Sequence, residues 1–146
     1  MDNEIIDTWE FPAEASHLQG LRDGLRDVLR SHHIPEIQCR DVVLAVNEAC
    51  MNIIQHAYST NPEASKNVTH TDAEIRIEIE KLDNLWCFRL IDSAPTVDTS
   101  CMKSRDLDDI RPGGLGMHFI EQIMDDVNMI KPQDGTGNIL ELSKRL

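Results

Sequence analysis

The sequence predicts an α+β two-layer sandwich, with a mixed and mostly antiparallel sheet covered on one face by helices. Three observations carry that expectation. Residues 75–80 and 86–92 show period-two apolar patterning. Residues 14–31 and 36–58 carry apolar side chains three and four apart. Turn residues at 83–84 and 133–137 fold neighbouring strands back on each other as hairpins. The element order is β-α-α-β-β-α-β-β, in which consecutive hairpins favour an antiparallel sheet with helices on one side.

Residues Glu4–Phe11 hold Ile5, Ile6, Trp9 and Phe11 and form a first strand at a sheet edge. Pro12 has no N–H for a strand ladder and ends it. From Glu14 to about Ser31, Leu18, Leu21, Leu25, Val28 and Leu29 make one helical apolar stripe. Gly20 and Gly24 lie one turn apart beside it, where another element can approach closely. Arg22, Arg26 and Arg30 form a second stripe four apart, with Asp23 and Asp27 nearby to offset it, and read as a solvated face. Pro35 breaks this helix and permits a new start. The next helix runs from Glu36 to about Tyr58 on Val42, Val46, Ala49, Ile53 and Ala57. Residues 59–72 are polar and aperiodic and read as a surface loop.

Ile75, Ile77 and Ile79 alternate with Arg76, Glu78 and Glu80, so this strand buries one face. Asp83-Asn84 is a turn signal. In the following strand Trp86, Phe88 and Leu90 share a face, and the period of two puts Asp92 on that face too. An ionised carboxylate there is costly unless something hydrogen-bonds it. Residues 93–112 show no period; Gly113 and Gly114 then precede a helix from about Leu115 to Met124. Two last strands, near Val127–Lys131 and Asn138–Lys144, flank the Gln133–Gly137 turn.

The 146 residues fit one domain spanning 1–146, and the 40% hydrophobic content supplies a core without disulfide or metal staples. No run of about 18 apolar residues is present, so no membrane span is expected. Asp2, Glu4, Asp7 and Glu10 give the N-terminus the wrong charge for a signal peptide, so a cytoplasmic location is expected. Cys39, Cys50, Cys87 and Cys101 form no CxxC pair; the first three read as small buried hydrophobes and Cys101 as an exposed thiol. The histidines show no HExxH spacing, and no zinc site is expected. A net charge of −12 repels phosphate backbones and argues against direct nucleic-acid binding. It suits simple solubility as well as it suits a basic protein partner.

Glu48 and Asn52 lie four apart, on one side of their helix and outside its core stripe. An amide oxygen can join the oxygen ligands of a hard cation such as Mg²⁺, and a carboxylate can take a proton from an attacking hydroxyl. Alone, the pair is equally a solvated helix face. Arg111-Pro112-Gly113-Gly114-Leu115-Gly116-Met117 places glycines at a helix start, where exposed N–H groups favour phosphate. Alone, this is equally a tightly packed helix entry. The chain lacks GxxxxGK[ST], a GxGxxG after a strand, the HRD and DFG signatures, and GxSxG. P-loop, dinucleotide-binding, ordinary protein-kinase and serine-hydrolase readings therefore fall away.

The order of these features resembles the GHKL ATPases: a helix with E-x-x-x-N, a strand ending in Asp, a loop, then G-G-x-G opening a helix. The likeness runs from about Glu14 to Leu146. It is strongest to the anti-sigma-factor serine kinases of bacterial partner-switching systems, the RsbW-like proteins, which carry a segment like Asn47–Tyr58 with its H-A-Y ending. That resemblance implies the GHKL (Bergerat) sandwich, with ATP and Mg²⁺ as cofactors. It makes Asn52 the metal-binding residue, Glu48 the general base toward a serine hydroxyl, and Asp92 the acceptor for the adenine amino group. Ala94, Gly114, Leu115, Gly116 and Met117 would complete the nucleotide pocket, and residues 98–112 would form an ATP lid. The family pattern has D-x-G where this chain has Asp92-Ser93-Ala94-Pro95. The Ala94 methyl and the extended backbone imposed by Pro95 make the adenine side the point of departure.

The expected function is a serine/threonine protein kinase that acts as an anti-sigma factor. Its expected partners are a STAS-type anti-sigma-factor antagonist, as substrate, and a sigma factor, with a homodimer possible through the sheet and first helix. The alternative is a non-catalytic binding module of the same fold that switches protein partners. The ATPase portion of a sensor histidine kinase is disfavoured, because about 13 residues precede the first helix, too few for a dimerising helical hairpin.

Overall fold

A computed structural model describes residues 3–57, 74–92, 114–130 and 137–146. The elements are β1 (Glu4–Pro12), α1 (Leu18–Ser31), α2 (Glu36–Asn52), β2 (Glu74–Leu82), β3 (Leu85–Asp92), α3 (Gly114–Ile123), β4 (Asp126–Ile130) and β5 (Asn138–Arg145). A 3₁₀ turn at Ala15–His17 leads into α1, and a π-helical turn at Ile53–Ala57 follows α2. The order of elements is the one the periodicities predict.

The five strands form one sheet in the order β1-β2-β3-β5-β4. The first strand is at an edge, as Pro12 suggests. Where the sequence allows a mixed sheet, all four pairings are antiparallel. Connectivity explains this. The α1–α2 pair carries the chain away from β1 and back to the same end of the sheet, so β2 enters antiparallel to β1. β3 and β4 each run antiparallel to β5 and hence parallel to one another; the strand that separates them prevents a parallel ladder.

One face of the sheet is buried beneath the helices. Ile75, Ile77 and Ile79 of β2, Trp86, Phe88 and Leu90 of β3, and Leu142 of β5 are at most 1% exposed. They join one core cluster with Leu25 and Leu29 of α1, Val42 and Val46 of α2, and Ile120 of α3. The other face carries ion pairs: Arg89 of β3 reaches Glu80 on β2 and, at 3.0 Å, Glu141 on β5. Cys87 shares that outer face and is half-buried, not a core residue like Cys39 and Cys50. The period that sends Trp86 and Phe88 inward sends the residue between them outward. Burial and the neighbouring Glu141 carboxylate push the Cys87 thiol up to about 12.

Local chemistry explains the element ends. His33 is left-handed (φ 61°), its N–H bonds Arg30 O at 3.0 Å, and the Ile34 N–H bonds Leu29 O at 3.1 Å. This paired closure satisfies carbonyls at the end of α1 before Pro35 opens α2. Asp83 (φ 55°) makes the tight β2–β3 turn that its sequence signals. Of the two glycines on α1, Gly24 faces a neighbour: a Cβ there would lie 3.5 Å from the Trp9 ring of β1. Gly20 has open space around that position. The Gln133–Gly137 turn lies outside the described residues except for Gly137 (φ 78°), but the β4–β5 pairing it was expected to close is present. Among the described residues no helix is long and apolar enough to cross a membrane.

Candidate functional site

α2 packs against both α1 and α3 and touches β3, so it is the element through which the candidate residues are organised. Glu48 lies on it, half-buried and outside the core cluster. One turn on, Asn52 is the last α-helical residue and is only 2% exposed. Neither its Nδ2 nor its Oδ1 has a hydrogen-bond partner among the described residues. An unsatisfied buried polar group costs about 1–3 kcal/mol, and native interiors rarely leave one. The helix extends as α-helix only to Asn52, not to Tyr58 as its periodicity suggests, and a π-turn follows. Apolar spacing marks which face is buried, but it does not separate one helical turn type from another. Such π-turns recur at functional sites. Tyr58 lies outside the described residues.

Asp92 ends β3 on the helix-covered face, 6% exposed, where the period of two puts it. Its Oδ1 accepts a hydrogen bond from Asn138 Nδ2 at 3.0 Å, and Asn138 is itself 7% exposed. The two residues are direct partners across the β3–β5 ladder. Asn138 is a site residue that the one-dimensional pattern misses. β5 is separated from β3 by a helix and a strand, and only the register brings the two side chains together. A second such contact joins Arg22 Nη1 of α1 to Asn47 Oδ1 of α2 at 3.0 Å, beside Glu48.

Gly114, Leu115 and Gly116 form the first turn of α3, and Met117 enters the core at 8% exposure. The first amides of a helix have no partner within it and point toward whatever lies beyond its start, which favours an anion. The side chains of this turn, and Ala94 with the expected lid at 98–112, lie outside the described residues. The arrangement thus has a buried amide with unused hydrogen-bonding capacity, a half-buried carboxylate one turn away, a buried carboxylate held in place, and a helix start. The donor set fits Mg²⁺: Asn52 Oδ1 is a neutral oxygen with no competing partner among the described residues, as a hard cation requires.

Residues 11–144 match the family profile described as the histidine kinase-like ATPase domain. The chain is 28% identical over 137 residues to the serine-protein kinase RsbW of Bacillus velezensis, covering 94% of this chain and 83% of the relative. It is 28% identical over 142 residues to the Staphylococcus aureus protein of the same name, covering 92% and 84%. Among solved structures, the SiaB–SiaC complex from Pseudomonas aeruginosa contains a similar chain, with a TM-score of 0.62, 15% identity, and 97% of this chain and 91% of that one covered. The RsbU and RsbW domains of Rv1364c from Mycobacterium tuberculosis give a TM-score of 0.60 at 18% identity, covering 96% of this chain and 32% of that one. At these identities the structural likeness shows the shared fold.

Proposed function

This chain belongs to the histidine kinase-like ATPase domain family, and we propose that it is an ATP-dependent serine/threonine protein kinase acting as an anti-sigma factor. Its substrate is a STAS-type anti-sigma-factor antagonist, and a sigma factor is the alternative partner. It works in the cytoplasm, with Mg²⁺ as the metal. Relatives named serine-protein kinase, matched over 83% and 84% of their length, support the activity. The observation that carries it in this chain is the buried Asn52 amide, without a partner among the described residues, one turn from Glu48.

Bound Mg²⁺-ATP supplies the phosphoryl group. Asn52 would hold the metal through its side-chain oxygen, which has no partner among the described residues. Glu48 would take the proton of the serine hydroxyl as the new O–P bond forms and the bond from the γ-phosphorus to the departing ADP breaks, and its half-buried position leaves it open to a protein substrate. Asp92, whose Oδ1 accepts a hydrogen bond from Asn138, would accept another from the adenine amino group. Backbone amides from Gly114 to Met117 would hold the phosphates. Positioning and charge neutralisation make up most of such a reaction, and residues held on packed elements do both.

Incubation with Mg-ATP and the purified antagonist yields phosphoserine. Glu48→Ala lowers the rate at least about 100-fold while nucleotide affinity stays within about threefold. Phosphorylation that persists in Glu48→Ala removes Glu48 from the role. A second reading, the non-catalytic binding module, rests on Ala94 in place of the glycine of D-x-G. It takes over when millimolar Mg-ATP gives neither heat nor a rise in melting temperature.

A further inference from the structure

We propose that Lys144 is a positioning residue for the phosphates of the nucleotide: it clamps the end of α3 to β5 and so fixes where the first amides of that helix stand. This rests on the nucleotide reading above, in which the turn Gly114–Met117 holds the phosphates.

The period of β5 sends Lys144 inward. Asn138, Leu140, Leu142 and Lys144 are spaced two apart and share the helix-covered face of the sheet. Lys144 is the cross-strand neighbour of Trp86, which is buried. An ammonium drawn out of water is costly unless something accepts its hydrogen bonds. Here Lys144 Nζ donates to the carbonyl oxygen of Ile123, the last residue of α3, at 2.6 Å. The carbonyl end of a helix carries partial negative charge, so this bond is charge-assisted.

Two further bonds close the same corner. The Asp125 N–H donates to Ser143 O at 2.9 Å, and the Arg145 N–H donates to Asp125 Oδ2 at 2.8 Å. These hold the turn that follows α3, whereas Lys144 bonds the helix itself. The body of α3 is held by apolar packing, with Met117 and Ile120 in the core cluster. Apolar contact is not directional, so it fixes tilt and axial position less firmly than a hydrogen bond does. The ten residues of α3 span about 15 Å. A tilt of about 10° around the clamped end moves the start of the helix by about 2.6 Å, close to the length of a hydrogen bond.

β5 serves both sides of the candidate site. Asn138 at its start bonds Asp92, the proposed adenine acceptor, and Lys144 near its end bonds α3. A shift of the helix end along β5 therefore moves the phosphate contacts relative to the adenine contact. Misplacement on that scale weakens every bond the first turn of α3 makes to an anion.

The test compares ATP, ADP and adenosine on the full chain, by calorimetry for the nucleotides and ligand-observed NMR for adenosine. Lys144→Met keeps the aliphatic stem and removes the donor. It lowers ATP and ADP affinity at least about tenfold and leaves adenosine affinity within about twofold, because only the phosphates meet α3. Lys144→Arg restores a cationic donor and returns ATP affinity to within about threefold of the wild type. In the absence of nucleotide, amide hydrogen exchange quickens in α3 of Lys144→Met and not in β2 or β3. Lys144→Gln, polar but too short to reach Ile123, is the second variant and follows Lys144→Met; circular dichroism confirms that each variant folds. ATP affinity unchanged in the folded variants overturns the proposal. Equal loss of ATP and adenosine affinity also overturns it, because that pattern marks general destabilisation. A wild type that binds neither ATP nor ADP removes the nucleotide reading and the proposal with it. Lys144-dependent ATP binding without phosphate transfer supports the clamp and removes the kinase reading alone.

Discussion

Asn52, the last α-helical residue of α2, and Asp92, the last residue of β3, are both almost fully buried, but they meet the interior differently. The Asp92 carboxylate is held across the ladder by Asn138 at 3.0 Å. The Asn52 amide has no partner for either of its polar atoms among the described residues. A group satisfied inside the fold contributes to stability whether or not a ligand is present. A group left unsatisfied costs stability until a ligand arrives. The strand side of the candidate site is therefore paired within the described fold, while the helix side is not.

The largest effect is expected at Asp92. Asp92→Ala removes the proposed adenine acceptor and the hydrogen bond from Asn138 Nδ2. It should lower stability by about 2 kcal/mol and nucleotide affinity at least about 100-fold, read by chemical denaturation and calorimetry. Asn52→Ala should separate the two quantities. The ligand-free protein should keep its stability or gain about 1 kcal/mol, because an unpaired buried amide is gone, while the rise in melting temperature with Mg-ATP disappears. An Asn52→Ala protein that loses 2 kcal/mol or more without ligand would mean that the amide is paired in solution, and the contrast with Asp92 would vanish. The smallest effect is expected at Asn138. Asn138→Ala should cost about 1 kcal/mol and reduce nucleotide affinity by tenfold or less, since Asp92 remains but loses a hydrogen bond that orients it. An effect as large as that of Asp92→Ala would give Asn138 its own contact with the nucleotide.

The fold was legible where periodicity was clean. The alternation of Ile75, Ile77 and Ile79, and the stripe from Leu18 to Leu29, identified their buried faces because one hydrophobic face must be covered. The same parity placed Asp92 inward and shows why Cys87 is not a core residue. Glu48, Asn52 and the glycines at the start of α3 were legible as an ordered set of motifs, though each is ambiguous alone. The Asn138 contact was not, because a cross-strand partner depends on register. Nor was the split of the arginine stripe: Arg30 turns to Glu36 at the start of α2, and Arg22 turns to Asn47.

The sequence by itself determined the element order, the inward faces and the residue types at the candidate site. These follow from short-range rules, namely the periods of 2 and 3.6 residues and the turn chemistry of Asp83 and Pro35. Only the tertiary structure decided that the described sheet is wholly antiparallel, that Asp92 has a cross-strand partner while Asn52 has none among the described residues, and that the arginines of α1 divide between Asn47 and Glu36. Each of those depends on which distant segments are packed together, and local spacing carries no record of that.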